Sequence, residues 1–312
     1  MPTVAVLMST YNGERYLKEQ LDSIFGQRGV RVRLFARDDG STDATIPILI
    51  DYEKRYPVEL LRDGENIGPG ASFLRLLYAS ADEPGIDYVA FADQDDVWLE
   101  DKLICAVRAI RSTQYIGPIL YSSNQSLFEN GQNVGLRYTT PQSIELIPHL
   151  TRNTIAGCTF VWNKELSQLI AGAESQSHPD AQLIRFRLHD AWIMLVAICC
   201  GHVLYDEDSH MLYRIHSDNV VGVKGVSCRQ KFRRLKGLVT RNDNANLRSL
   251  TAQELLKLYP EMGEESKTIL ELYATYKRSI ATRIRLMSDR RVRQGCGENP
   301  VVFSAKVLLG LV

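Results

Sequence analysis

The chain has 312 residues, 45% of them hydrophobic, with 37 basic side chains balancing 37 acidic ones. Net neutrality argues against a general polyanion binder, nucleic acid included, while leaving local basic patches open, and the hydrophobic content is that of an ordinary well-packed soluble protein of one large or two smaller domains. The six cysteines, at 105, 158, 199, 200, 228 and 296, form no CxxC pair, so neither a disulfide framework nor zinc ligation is expected and a reducing cytosol fits. No apolar run reaches the roughly 18 residues of a membrane span, and Met1-Pro2-Thr3 shows no signal-peptide pattern, so the expected location is cytoplasmic.

The first third alternates two periodicities. Val4–Met8 is a continuous apolar run, as in a strand buried on both faces. Tyr16, Leu17, Leu21, Ile24 and Phe25 fall at helical spacing over Arg15–Phe25. Val30, Val32, Leu34 and Ala36 alternate with polar residues and predict a second strand. A helix over Asp43–Tyr56, with Thr42 or Asp43 as its cap, a strand at Val58–Leu61, a helix over Ala71–Ala81 and a strand at Tyr88–Phe91 continue the series. Repeated βα units imply a mostly parallel, doubly wound sheet, which binds ligands at the carboxyl ends of its strands.

Four polar loops containing glycine or clustered acid follow those strands: Ser9-Thr10-Tyr11-Asn12-Gly13, Arg37–Asp43, Glu65–Gly70 and Asp93-Gln94-Asp95-Asp96. Together on one rim they suggest a nucleotide pocket. Three carboxylates within four positions repel one another unless neutralised, and a hard divalent cation bridging to phosphate does that; an acidic turn with Asp96 capping a helix over Leu99–Ser112 is the alternative.

Beyond residue 115 the pattern is less regular. Ile119–Ser122 and Thr154–Trp162 read as strands, Ala191–Cys200 as a buried helix opened by His189-Asp190, and His202–Tyr205 with Met211–Ile215 as a strand pair. Helices are expected over Asn246–Tyr259 and Glu264–Met287. Lys224–Arg241 carries seven basic residues and no acid, and is either an interfacial segment on an anionic inner leaflet or a solvated basic helix. Leu255, Leu256, Leu258, Ile269, Leu270, Leu272 and Tyr273 offer a surface for self-association as a homodimer.

The succession Ser9–Gly13, Asp38–Asp43, Asn66-Ile67-Gly68, Asp93–Trp98, Gly157-Cys158-Thr159, His189-Asp190 and Tyr213–His216 followed by Asn219 and Gly222 resembles the family 2 glycosyltransferases of GT-A fold. The Asp-Gln-Asp-Asp form and the late histidine look most like the bacterial rhamnosyltransferase branch. The resemblance covers about residues 3–222 and implies a GT-A domain over 1–222, with a nucleotide-binding half at 1–115 and an acceptor half at 116–222. A helical, basic region then follows at 223–312. It implies an inverting, metal-dependent enzyme that moves L-rhamnose from dTDP-L-rhamnose to a glycan or lipid-linked acceptor in surface polysaccharide synthesis, O-antigen or lipopolysaccharide.

By that resemblance Thr10, Tyr11, Asn12, Asp39, Gly40, Asn66, Gly68, Asp93 and Gln94 serve the nucleotide. Asp95 and His216 hold Mg²⁺ or Mn²⁺, imidazole suiting Mn²⁺ better. Asp190, at a helix start, is the candidate base, a role that competes with capping. Trp98, Cys158, Thr159, His189 and Trp192 are candidate sugar or acceptor contacts, a core role being the alternative for the tryptophans. Arg214 is left between phosphate and structural carboxylates. The rival readings are a UDP-hexose-dependent β-glycosyltransferase, a sugar-nucleotide nucleotidyltransferase, which lacks its usual basic glycine-rich loop here, and a non-catalytic glycan-binding module.

Overall fold

A computed structural model of the chain describes residues 1–175, 177–216 and 246–312. The basic run Lys224–Arg241, with Asn219 and Gly222, lies outside the described residues.

The strands β1 (Thr3–Thr10), β2 (Arg31–Asp38), β3 (Val58–Leu61) and β4 (Tyr88–Ala92) are linked by helices α1 (Leu17–Phe25), α2 (Thr45–Glu53) and α3 (Pro69–Ser80). They pair in parallel in the order β3-β2-β1-β4. The chain winds outward from β1 to β3 and then crosses back to the other side of β1. The carboxyl ends of β1 and β4 therefore flank a topological switch point, where such sheets open a crevice.

The sheet continues as β8 (Val161–Asn163), β6 (Ile119–Glu129), β9 (His202–Arg214) and β5 (Val97–Trp98), with β7 (Gln132–Leu136) paired to β6. These pairings are antiparallel except β6 with β9. The expected α/β sheet is thus wholly parallel in its first half and mixed in its second. Ala5 and Leu7 face one core; Val4, Val6 and Met8 face the other, which is why the run carries no polar alternation.

Helix α4 (Lys102–Ser112) begins later than predicted, because Val97 and Trp98 are taken into pairing with β9 and Asp101 becomes the residue before the helix. The predicted strand over Thr154–Trp162 is instead a loop, a 3-10 turn at Gly157–Thr159 and the short β8. Thr159 Oγ donates back to the Ala156 carbonyl (2.8 Å) and folds the backbone away from extension. The predicted strand pair is the single long β9, whose polar middle is absorbed by register shifts opposite Ser123–Ser126.

Three helices flank this half: α5 (Leu146–Thr151), α6 (Lys164–Glu174) and α7 (Ala181–Cys200). The carboxyl-terminal helices are α8 (Leu247–Leu258), α9 (Glu264–Thr275), α10 (Ile280–Ser288), α11 (Arg290–Gly295) and α12 (Pro300–Leu309). The expected long helix from 264 breaks at Tyr276–Arg278, where Ser279 and Thr282 form a capping box and restart it as α10. Leu255, Leu258, Ile269, Leu270, Leu272 and Tyr273, expected at a dimer surface, are buried, with Leu256 packed beside them. They join Trp192 and Phe160 in one hydrophobic cluster, so the chain itself already covers that face. No helix among the described residues is long and apolar enough to cross a membrane.

Candidate active site

The loops after β1, β2, β3 and β4 meet the loop before β8, the middle of α7 and the end of β9 around a cavity of about 830 Å³. Tyr11, Asn12, Asp39, Asn66, Gly68, Asp93, Gln94, Asp95, Cys158, His189, Asp190 and His216, all singled out from sequence, line it.

On the rim formed by the loops after β1 and β2, side chains fasten backbone. The Gln94 carboxamide accepts from Tyr11 N (2.9 Å) and donates to Tyr11 O (3.0 Å), fixing the main chain while the ring stays about half exposed. Asn12, at φ 47°, accepts from Thr42 N through its Oδ1 (2.9 Å). Asp38 shapes the next turn, accepting from Gly40 N, Ser41 N and Thr10 Oγ. The φ of +86° at Gly40 is one that side chains rarely tolerate. Thr10, expected at the nucleotide, is therefore a buried prop of Asp38 and does not line the cavity.

Asp39 accepts from Ile67 N (2.8 Å) and Gly68 N (2.9 Å), tying the asparagine–glycine loop to β2. Behind it the buried Arg37 bridges Asp39 and Asp63. The Arg37 hydrogen bond, with burial opposing and Arg75 assisting, holds the Asp63 carboxyl at about 2.

The acidic floor is crowded. Burial, then repulsion from Asp95 and Asp190, pushes the Asp93 carboxyl up. Asp96 is fully buried and raised for the same first reason; its Oδ1 accepts from Arg214 N (3.2 Å), and its Oδ2 has no hydrogen-bond partner among the described residues. It does not cap α4. Lys102, read from sequence only as part of a helix, is buried beneath the acids, donating to Cys158 O (3.0 Å) with its ammonium over the Trp98 ring. Desolvation pulls it down to about 8 against the attraction of Asp96 and Asp93.

His216 Nε2 lies 2.7 Å from Asp95 Oδ2, so β9 delivers the late imidazole to the acidic motif. A carboxylate and an imidazole this close are a donor set that fits a divalent cation, Mn²⁺ more readily than Mg²⁺. Arg214 donates from Nε to the Asp95 carbonyl (2.8 Å) and from Nη2 to Glu19 (2.6 Å).

Asp190 sits where α7 breaks. Leu188 adopts φ 62°, ψ 168°, a conformation nearly reserved for glycine that costs about 1–3 kcal/mol. The break restarts the helix at His189-Asp190 and turns both into the cavity wall. Asp190 Oδ1 accepts from Ala191 N (2.7 Å); Oδ2 accepts from Asn153 Nδ2 (3.1 Å) and Gly157 N (3.3 Å). Burial outweighs these bonds and raises the carboxyl to about 6. At Gly157 a Cβ would stand 2.7 Å from Asp190 Cβ, so only glycine allows this approach. His189 is stacked on Phe73 (3.9 Å) and edge-on to Phe91; desolvation lowers it to about 3, so it is neutral.

The tryptophan expectations are corrected. Trp98 and Trp192 are 3% and 0% exposed, lie in the two cores and do not reach the cavity. Thr159 is buried behind the 3-10 turn rather than facing the cavity. Sequence reasoning missed Arg137, Asn153 and Tyr213 in the lining. Arg137 bonds Gln125 Oε1 (2.6 Å), with its guanidinium over the Tyr213 ring. An isolated arginine after a short exposed strand carries no recognisable pattern.

A sheet whose parallel half opens at its switch point, an acidic motif meeting a histidine and a second carboxylate lining the same cavity define a GT-A-type fold. The family model described as glycosyl transferase family 2 matches residues 5–168. The dTDP-rhamnosyl transferase RfbG of Shigella flexneri is 34% identical over 236 residues, covering 74% of this chain and 78% of that protein. An uncharacterized glycosyltransferase of Rickettsia felis is 25% identical over 82% of this chain, but the match spans only 40% of that longer protein. Among solved structures, S. aureus TarS 1-349 in complex with UDP-GlcNAc superposes with a TM-score of 0.58 at 17% identity, covering 100% of this chain and 82% of that one, a likeness of fold. The chain belongs to glycosyl transferase family 2 and resembles its rhamnosyltransferase-like branch; it is a glycosyltransferase.

Proposed function

We propose that the chain is an inverting, metal-dependent rhamnosyltransferase that takes L-rhamnose from dTDP-L-rhamnose to a hydroxyl of a glycan or lipid-linked glycan. The observation that carries the chemistry is that Asp190 lines the same cavity as Asp93, Asp95 and His216. The donor sugar rests on the likeness to RfbG.

In this reading Tyr11 stacks on the base, its backbone held by Gln94, and Asp39 with the Asn66–Gly68 loop lines the base and ribose. Asp95 and His216 hold Mn²⁺ or Mg²⁺, which when bound offsets the charge of the leaving diphosphate. Asp190 takes the proton of the acceptor hydroxyl as that oxygen bonds the anomeric carbon and the bond from that carbon to the phosphate oxygen breaks on the opposite face. The products are an α-linked rhamnoside, dTDP and a protonated Asp190. Neutral His189 packs beside the base without competing for the proton.

The test presents purified protein with Mn²⁺ and a panel of dTDP- and UDP-sugars, following nucleoside diphosphate release and binding heat. Turnover of dTDP-L-rhamnose alone supports the proposal. Preferred turnover of a UDP-hexose replaces the donor, and pyrophosphate-dependent exchange replaces the reaction. Asp95→Ala is expected to weaken Mn²⁺-dependent dTDP binding about tenfold or more, equal to losing one charge-assisted contact; unchanged metal dependence removes Asp95 from the cation.

A further inference from the structure

Outside the donor cavity, Asp101, Cys105 and His210 bring a carboxylate oxygen, a thiol sulfur and an imidazole nitrogen within 4.8 Å of one another. None of them lines the cavity. Asp101 and Cys105 stand four residues apart at the start of α4, which aligns them on one face. His210 comes from β9, beside the strand β5 that leads into that helix.

The spacings are those of a coordination shell. Asp101 Oδ2 lies 3.2 Å from His210 Nδ1 and 3.7 Å from Cys105 Sγ. Tetrahedral zinc, with bonds of about 2.1 Å to nitrogen and oxygen and about 2.3 Å to sulfur, separates such pairs by about 3.4 and 3.6 Å. The other ring nitrogen, Nε2, faces Asp206 Oδ2 at 3.5 Å, and Asp206 is itself held by the Tyr121 hydroxyl at 2.8 Å. Metal-bound histidines ordinarily have this support, a carboxylate that fixes the tautomer and orients the ring.

An ion-pair network alone accounts for an imidazole between two carboxylates. The half-buried thiol adds a sulfur 3.7 Å from the same carboxylate oxygen, within reach of a hydrogen bond while protonated and of a metal once coordination expels its proton. The mixed sulfur, nitrogen and oxygen set selects zinc over the hard cations suited to the donor site.

We propose that Asp101, Cys105 and His210 bind zinc, with water in the fourth tetrahedral position and Asp206 orienting His210. Binding releases the Cys105 proton and involves no redox change. The ion would clip the start of α4 to β9, the strand that runs on to Arg214 and His216.

The test strips the full chain with a chelator and titrates it with Co²⁺ in the absence of any donor. The expected result is one equivalent with tetrahedral d–d bands and a thiolate-to-cobalt charge-transfer band, displaced by equimolar Zn²⁺ and accompanied by a higher Tm. Cys105→Ser should lose the charge-transfer band, and His210→Ala should lose affinity by about 100-fold. Asp206→Asn should weaken binding about 10–100-fold. Cys105 is on a helix surface, so its serine variant is expected to keep the wild-type circular dichroism. Absence of the charge-transfer band in wild type overturns the site, as does its survival in Cys105→Ser or undiminished affinity in His210→Ala.

Discussion

At the scale of single residues, the chemistry turns on how Asp190 is held. Three donors, Ala191 N, Asn153 Nδ2 and Gly157 N, fix both its oxygens, yet burial still raises its pKa to about 6. Asp190→Asn keeps the shape and removes the base; transfer should fall about 10²–10⁴-fold while dTDP affinity measured by calorimetry stays within about twofold. In wild type the transfer rate should rise with pH through about 6, as Asp190 ionises, a limb that stopped-flow pH profiles would locate. The linkage has the opposite sign for stability. A carboxyl raised above its unfolded value near 3.9 favours the fold when protonated, so its contribution is lost as pH rises toward 6. Asp190→Asn removes the penalty of the buried charge but turns an –NH2 toward at least one of the three donors, so the two effects oppose and Tm at pH 7 should change little. Gly157→Ala should lower transfer by pushing Asp190 aside, again with donor binding retained. Asp190 was singled out because His189-Asp190 stands where the family resemblance implies the catalytic acid, the helix start beside it being equally open to a capping role. Asn153 was not, since an asparagine in a polar loop has many ordinary uses, and Lys102 was not, since lysine is almost never fully buried unless paired.

At the scale of elements, loops rather than strands carry the information. The Gln94 carboxamide joins the acidic motif after β4 to the tyrosine loop after β1 through one donor and one acceptor. Gln94→Ala leaves the Tyr11 loop unpinned and should weaken dTDP binding about tenfold, about 1.4 kcal/mol, read by calorimetry. Gln94→Glu keeps the acceptor but sets a carboxylate oxygen against the Tyr11 carbonyl and adds charge beside Asp93 and Asp95, so it should weaken binding at least as much as the alanine. β1 and β4 were readable because both faces of a parallel sheet's inner strands must be apolar, which writes itself as continuous runs, while β2 showed as alternation and the helices as helical spacing. Thr154–Trp162 misled for the converse reason. Its apolar flanks, Ile155-Ala156 and Phe160-Val161-Trp162, are buried as a strand's would be, but the glycine between them serves Asp190 across 33 residues of chain. The long-range bond wins over local propensity there. In β9, Asp206-Glu207-Asp208 looked like a turn between two strands, and the strand crosses it through register shifts.

At the scale of the whole molecule, a buried carboxylate at the end of α6 binds the two halves. Glu174 is inaccessible to solvent and accepts from Tyr78 of α3, from Trp192 Nε1 of α7 (2.9 Å), and from Tyr259, just past α8. Glu174→Ala would strand three donors and open a cavity; at about 1–3 kcal/mol per orphaned group, a large fall in Tm is expected, with Glu174→Gln milder. The amphipathic spacing of the leucines in α8 and α9 was visible in the sequence, but their partner was not, because a stripe of leucine reads the same toward a second copy as toward the chain's own α7. The packing between them has a consequence for anyone dividing the protein. A fragment ending at residue 216 would keep every cavity-lining side chain named above, yet leave α7 without the Tyr259 ring beside Trp192 and without Thr251, which accepts from the buried Arg187. Such a fragment should precipitate or bind chaperones rather than turn over donor, so the sugar-transfer half is not a transplantable cassette.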